Sequence, residues 1–512
     1  EEDLIARDPL STLRSRLRAH PLRAALDASP GREGAYVVGG ALRDSLLGPG
    51  KDGPARDPDL DIACREAKAF AAELARRLKA TLVNLDEEHR VYRVVCSGAL
   101  KGLQVDVAEI QGAGIEEDLA RRDFTVDSMA VPLSSRSEGF LDPFGGLRDL
   151  RAGILRQTSE RVFPEDPLRL LRAFRIAALC GLRIEAGTLA AVSQNKRRIL
   201  KAAAERIRTE LLLLLGSPRS ASWLRLMDEA GLLTTVFEEL EPSRRCAEVY
   251  YGKGGVLRHS LDTVARVDFF LAEAPRILGP LHAPVREHLD SHFGGLQRHG
   301  PLLKLIALLH DLAKPDCAKR VGGRLRFFGH DIVGAQRAGA LLRRLRFSRE
   351  EEELASCLIA QHLRPGNLAA NELVSDKAVY RFFRDLGRRG VSLLLLCWAD
   401  HASYLSAAAL RSILPHLRED PHTFAGGRIR SEDTRKTLRH LQVAHFLLDR
   451  YFNSPQTARP ERLLNGKAVM RALGIPPGPR VGEVLEKLDE AQAEGRVKDR
   501  ESALRFIAGL RA

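Results

Sequence analysis

With 512 residues, 80 Lys and Arg against 67 Asp and Glu, and a formal charge of +13, the chain has length for about three to five domains of roughly 100–200 residues. Its composition, 44% hydrophobic and 29% charged, is that of an ordinary globular protein; no apolar run nears the ~18–20 residues that cross a bilayer, and no apolar segment follows the acidic start, so neither a membrane span nor a secretory signal is expected. Seven scattered cysteines, never in CxxC, argue against a disulfide framework or zinc ribbon and for reduced thiols in a cytoplasm, while the positive balance invites a polyanion, although 65 of the 80 cations are Arg, a bias that genome composition alone can produce.

Along the chain, Leu10, Leu13, Leu17 and Leu22 predict a helical lead-in over 1–30. From 31 to 151 the pattern is mixed: strands at 36–38, 60–63, 81–85, 91–97 and 103–108, with helices at 41–47 and 66–80. Beyond about 160 the β signal stops, and Leu, Ala and Arg recur at helical spacing almost to the end. Pro/Gly-rich breaks near 275–284, 363–368 and 475–480 divide this part. The expected architecture is α+β and multidomain: an α/β head (31–151), a helical neck (152–250), a further helical domain (251–405) and a helical tail (406–512).

Val38-Gly39-Gly40-Ala41-Leu42-Arg43-Asp44 reads as strand, Gly pair, helix start. Such a turn lets backbone N–H groups approach a phosphate, and Arg43 could add a charge-assisted bond, although a Gly pair by itself is more often just a turn. Downstream, Asp59 and Asp61 stand two apart, which in a strand places both carboxylates on one face. Adjacent carboxylates repel unless a cation lies between them, and a hard divalent ion such as Mg²⁺ is the natural one. Asp106, alternating with Val105 and Val107, supplies a third acid; three carboxylates beside a phosphate-binding turn suit metal-assisted phosphoryl transfer.

The Gly-Gly-x-x-Arg-Asp turn with Asp-x-Asp resembles the nucleotidyltransferase core of the class II tRNA nucleotidyltransferase and bacterial poly(A) polymerase family. The resemblance continues through Arg121-Arg122-Asp123-Phe124-Thr125-Val126-Asp127, Asp142-Pro143-Phe144-Gly145-Gly146, Glu165-Asp166-Pro167-Leu168-Arg169-Leu170-Leu171-Arg172-Ala173-Phe174-Arg175 and Glu205-Arg206-Ile207-Arg208-Thr209-Glu210. Pro167 suits a first helical turn, so a helix is expected to begin there, with Asp166 and Arg169 as i, i+3 neighbours and Arg172 and Arg175 continuing the face. A carboxylate beside a guanidinium matches the pairing edge of cytosine or adenine, where an amine donor adjoins a ring-nitrogen acceptor. The resemblance implies that Asp166 and Arg169 select CTP and ATP in this way, with Glu165 orienting Arg169, Asp123 on the nucleotide and Arg122 on a phosphate. The plain alternative for Asp166 and Arg169 is a surface ion pair. Primer RNA would contact the segment 195–208, where Lys196, Arg197, Arg198, Lys201, Arg206 and Arg208 face one acid, Glu205; such a run is otherwise a solvated face.

The apolar stretch 302–312 is interrupted by His310-Asp311, and buried charge there needs a partner or a metal. With His259 upstream and Asp400 downstream, the order resembles the HD metal-dependent phosphohydrolases, and His330 and His362 resemble the extra ligands of their binuclear forms. Each histidine taken singly is more often a core residue. A mixed N/O donor set favours a transition metal (Mn²⁺, Ni²⁺ or Fe²⁺) over Mg²⁺. Residues 463–512 resemble the helical tail of the same subgroup.

The resulting expectation is a template-independent enzyme adding CCA, or part of it, to tRNA 3′ ends from CTP and ATP, with Mg²⁺ on Asp59 and Asp61. The alternatives are a poly(A) polymerase and, from another class, a phosphohydrolase whose main activity lies in the HD region.

Overall fold

The computed structural model describes residues 9–47, 59–134, 139–293, 297–371, 373–422, 429 and 431–510. They form two compact units, Glu1–Leu214 with Leu226–Val236, and Leu215–Arg225 with Phe237–Ala512. The helical region expected over 152–250 is thus divided between them.

The first unit is built on a six-stranded sheet in the order β3-β4-β5-β2-β1-β6. Its strands are β1 (Tyr36–Val38), β2 (Leu60–Cys64), β3 (Thr81–Asp86), β4 (Val91–Val95), β5 (Gln104–Glu109) and β6 (Ala130–Pro132). Only β2 and β5 run parallel, placing Asp61 beside Asp106; β4 lies antiparallel to β5 and sets Arg93 opposite Asp106. The period-two pattern has its usual cause: Val105 and Val107 are fully buried while Gln104 and Asp106 face the half-open side. A helix, Gly40–Leu47, leaves the end of β1, and the amphipathic Ala67–Leu78 helix buries Phe70, Ala71 and Leu74. The lead-in is helical, as Pro9–Ala19 and Arg23–Asp27.

Most of the rest is helical, with three differences from the sequence reading. Short strand pairs persist beyond 151, Ile154–Leu155 with Arg183–Ile184 and a hairpin, Lys319–Val321 with Arg324–Arg326. They are too short for a period-two signal. The Pro/Gly break near 363–368 is a helix, Leu363–Ala369, because Pro365 falls in its first turn, where a missing N–H costs nothing. Pro167 does not open a helix: Val162–Glu165 is a separate turn of helix, Asp166 is extended (φ −135°), and the next helix is Arg169–Cys180.

The second unit packs its helices around a leucine-rich centre. Two of them, Gly255–Ala272 and His299–Leu309, are joined by a buried ion pair, Lys304 Nζ to Asp268 Oδ1 at 2.7 Å, with Lys304 also donating to the Ser217 carbonyl. The tail forms its own apolar cluster around Leu464, Val484, Leu488 and Ile507. Among the described residues, no single helix is long and apolar enough to cross a membrane.

Candidate active site and candidate metal centre

In the first unit the site gathers where β1 ends. Gly39 has φ +68°, and a Cβ there would lie 3.0 Å from Arg122 Nη1 and 3.1 Å from Asp61 Oδ2. Only glycine lets the turn approach the carboxylate this closely. Gly40 begins the following helix, and the Ala41 N–H bonds to Asp61. Burial, together with negative charge on Asp106 and Asp127, raises the Asp61 pKa to about 6, against the opposing pull of Arg122. A carboxylate in that position is short of positive charge, which is the condition a bound cation relieves.

The three acids are not drawn into one cluster. Asp59 precedes β2 and accepts from the Gln104 backbone N–H (3.1 Å) and side-chain amide (3.2 Å). Asp106 accepts a bidentate pair from Arg93 at 2.7 Å each. Among the described residues, groups of three donor atoms within 4.8 Å occur only in the second unit. Arg93 was not legible beforehand, since only the β4–β5 register brings it to Asp106.

Arg43, expected on a phosphate, keeps its Nη2 close to the Gly40 turn but is also ion-paired within the protein. It is buried, its Nη1 donates to Asp127 Oδ1 at 2.7 Å and its Nε to Asp44 at 2.8 Å, so it braces the Asp127 turn from below. Asp123, buried just before the Asp127 turn, accepts from Arg172 Nε at 2.7 Å; burial opposes its charge, but Arg172 and Arg169 hold its pKa below the ordinary value. Arg122 donates to Asp118. Arg175 is engaged by Glu210 at 2.6 Å.

Asp166 and Arg169 are not paired with each other, because the chain is extended at Asp166. Arg206 donates to Asp166 Oδ2 at 2.9 Å, and the Leu168 N–H takes the other oxygen. Arg169 donates to the carbonyls of Arg121 (2.8 Å) and Val162 (3.3 Å), with Glu165 at 3.8 Å. Lys196, Arg197, Arg198 and Lys201 lie on the Lys196–Lys201 3₁₀ turn; Arg197, Arg198 and Lys201 are exposed, and Lys196 packs against Gly231.

In the second unit the six residues singled out in sequence do converge. His259 sits mid-helix in Gly255–Ala272; His310 and Asp311 follow the end of His299–Leu309; His330 opens the His330–Arg344 helix; His362 caps Arg349–Gln361; and Asp400 lies in Arg389–Ala402. His259 Nε2 is 3.3 Å from Asp311 Oδ2 and 3.1 Å from Asp400 Oδ1. His310 Nε2 is 3.3 Å from Asp311 Oδ2, while His330 and His362 Nε2 lie 3.4 and 3.7 Å from Oδ1 of the same carboxylate. Asp311 therefore bridges two half-sites, His259–His310–Asp311 and Asp311–His330–His362.

The ring nitrogens are oriented uniformly. Nδ1 of His310, His330 and His362 faces the carbonyl of the residue three before it, at 2.8, 2.7 and 2.6 Å, and a carbonyl can only accept. Ser403 gives its hydroxyl proton to the Asp400 carbonyl, so it accepts from His259 Nδ1 at 3.2 Å. All four histidines thus turn an Nε2 lone pair inward. His259 Nε2, His310 Nε2, Asp311 Oδ1 and Asp400 Oδ1 are buried without an aligned hydrogen-bond partner. Separations near 3.1–3.7 Å match adjacent ligands on an ion with bonds of about 2.1 Å. Burial opposes charge on His310, yet Asp311 and Asp400 hold its pKa up at about 10, whereas burial pushes His362 down to about 4. The acids demand a cation, proton or metal, and the donor set fits a metal. Lys314, unforeseen in sequence, bonds Asp311 and the Tyr251 hydroxyl, and Tyr251 stacks on His259 at 4.6 Å.

A sheet of this order with a glycine turn over an aspartate defines a nucleotidyltransferase head, and comparison with known proteins agrees. Residues 35–156 match the family model "Poly A polymerase head domain", and 181–243 match "Probable RNA and SrmB- binding site of polymerase A". The chain belongs to the class II tRNA nucleotidyltransferase and poly(A) polymerase family. It is 33% identical to the CC-adding tRNA nucleotidyltransferase of Thermus thermophilus over 92% of this chain and 93% of that one. To the A-adding tRNA nucleotidyltransferase of Deinococcus radiodurans it is 31% identical, covering 93% and 95%. The fold matches the Thermotoga maritima CCA-adding enzyme complexed with tRNA (TM-score 0.61, 22% identity, 99% of each chain).

Proposed function

We propose that the first unit extends tRNA 3′ ends with cytidylate, adenylate or both, drawing on CTP and ATP, without a nucleic-acid template. The observation that carries this is the Gly39 turn closed over Asp61, with Asp123, Asp166 and Arg169 in the same unit, in a chain whose full-length relatives are named CC-adding and A-adding enzymes. Asp61 and Asp59 would hold Mg²⁺, which when bound neutralises charge at the α-phosphate and favours ionisation of the primer hydroxyl. The protein's own groups do the rest. Gly39 and Gly40 leave room for the triphosphate, Arg122 stands within its reach, and Asp166 with Arg169 offers the acceptor and donor that cytosine and adenine require. The unpaired cations Arg197 and Lys201 suit RNA phosphates. Seven free cysteines accord with a cytoplasmic setting.

The test is incorporation of each labelled nucleotide into three primers: tRNA lacking its terminal triplet, tRNA ending in CC, and an unrelated RNA. Adenylate runs on the unrelated RNA would make the chain a poly(A) polymerase instead.

For the second unit we infer an HD-type phosphohydrolase centre with a transition metal on His259, His310, Asp311 and Asp400, and a second ion on Asp311, His330 and His362. Ions held by these residues would supply Lewis acidity and an activated water for phosphoester hydrolysis. Absence of turnover on a panel of phosphoesters with Mn²⁺ and Ni²⁺ would leave the metal as a staple between helices.

A further inference from the structure

Beside the His–Asp centre opens a cavity of about 610 Å³, of the size that holds small organic ligands. Lys314 and His330 are among the residues that line it, so it reaches one of the proposed ligands, and Lys314 in turn bonds Asp311. One wall is the hairpin Lys319–Val321/Arg324–Arg326. Gly322 and Gly323, both at positive φ, make its two-residue turn, the geometry that suits tight hairpins. Tyr250 pins the hairpin, its hydroxyl donating to the Leu325 carbonyl and accepting from the Leu325 N–H, each at 3.1 Å.

The chemistry of the wall is specific. Arg324 and Arg326, two apart in one strand, project from the same face and both line the cavity. Neither has a carboxylate or hydrogen-bond partner among the described residues, and no acid lines the cavity. Next in the chain come Phe327 and Phe328. Phe327 packs edge-on to His330, but Phe328, which also lines the cavity, is 71% exposed. Unpaired guanidiniums that bind phosphate, alternating with an open aromatic ring that stacks on a base, form the usual recognition pair for single-stranded nucleic acid. An acidic peptide would use the arginines and leave the ring idle.

We propose that this pocket is a nucleotide subsite of the second unit, which seats the 3′-terminal nucleotides of single-stranded RNA with a base on Phe328 and backbone phosphates on Arg324 and Arg326. The pocket delivers the terminal phosphoester to His330 and the centre behind it; that delivery rests on the phosphohydrolase reading above, whereas the binding does not. On a 2′,3′-cyclic phosphate the reaction consumes one water: a P–O bond to the water oxygen forms, one ribose P–O bond breaks, and the released ribose oxygen takes the proton.

Two measurements on the full chain separate these statements. In the first, a trinucleotide carrying 3′-terminal 4-thiouridine is photocrosslinked and the modified peptides are mapped. A crosslink within 319–330 is expected, lost in the Arg324→Glu, Arg326→Glu double variant while crosslinks in the first unit persist. No crosslink there, or one undiminished in that variant, overturns the subsite. In the second, hydrolysis with Mn²⁺ compares a trinucleotide 2′,3′-cyclic phosphate with bis(p-nitrophenyl) phosphate. Wild type should favour the trinucleotide in KM, and Phe328→Ala should raise that KM about tenfold, with Phe328→Tyr restoring it. A KM indifferent to Phe328 also overturns the proposal. Crosslinking at the hairpin with no hydrolysis of any ester would keep the subsite and retire the phosphohydrolase reading.

Discussion

The two sites solve the problem of concentrated negative charge in opposite ways. In the first unit nearly every functional acid already has an arginine: Asp106 has Arg93, Asp123 has Arg172, Asp127 has Arg43 and Asp166 has Arg206. Asp61 has no such ion pair among the described residues and keeps a pKa raised to about 6, under the close approach of the Gly39 turn. In the second unit two aspartates and four imidazoles converge, and His259 Nε2, His310 Nε2, Asp311 Oδ1 and Asp400 Oδ1 are buried there without an aligned partner. An acid paired to arginine is stable by itself and can wait for a substrate that brings both charge and metal. Orphaned buried acids are costly until a cation is resident. The first arrangement suits a metal that arrives with nucleoside triphosphate, the second a metal that stays.

The strongest test of that contrast is to remove one acid from each site. Asp61→Ala should lower incorporation of every nucleotide by about a thousandfold or more, since several kcal/mol of charge stabilisation is lost, while tRNA retention on a filter changes little. Robust incorporation by an Asp59→Ala, Asp61→Ala double variant would detach the chemistry from this pair. Asp311→Ala should do the reverse. It should abolish binding of Mn²⁺ or Ni²⁺ by calorimetry and destabilise the second unit by about 3–5 kcal/mol, because Lys314 loses its buried partner, yet leave nucleotide addition intact. A parallel loss of nucleotide addition would mean that the two sites are not independent.

A smaller effect concerns base choice. Arg169→Ala should cost ~1–3 kcal/mol of discrimination against UTP and GTP, measured as a ratio of kcat/KM values. Unchanged selectivity would move the reading role away from Arg169.

A further effect is a pH dependence of stability away from either site. His288 and His299 are buried in the second unit, with Ser392 at 2.8 Å from His288 and Arg388 donating to it at 3.1 Å. Burial and the neighbouring positive charges lower their pKa values to about 3 and about 4. Folded pKa values below the unfolded ones mean that the unfolded chain binds more protons, so the stability is complete above the ordinary histidine value and declines as pH falls toward 4. The slope contributed by each is about 1.4 kcal/mol per pH unit. His288→Asn should flatten the loss of melting temperature between pH 6.5 and 4.5, and an unchanged slope would assign the acid sensitivity to other groups.

Local pattern carried much of this molecule. β1, β2 and β5 follow from short β-branched runs between turn residues, and Gly39 follows from the need to bend a strand into a helix over an acid. That His259, His310, Asp311, His330, His362 and Asp400 belong together was legible as well, since a His-Asp pair in an apolar stretch is expensive without a purpose. Partnership was not legible. Nothing in the pattern around Arg43 showed that it would also pair with Asp127, 84 residues away. Asp166, expected with Arg169 to read a base edge, is held by Arg206, 40 residues on, which no local pattern announced. Arg93 gave no sign until the register set it against Asp106.

What the amino-acid sequence determined, then, is which residues would be costly to bury and therefore had to serve something, because hydrophobic period and charge content are properties of short windows. What only the tertiary structure decided is which charge answers which, since ion pairing depends on distance through space, and a few ångströms separate a guanidinium that waits for phosphate from one already spent on a neighbour.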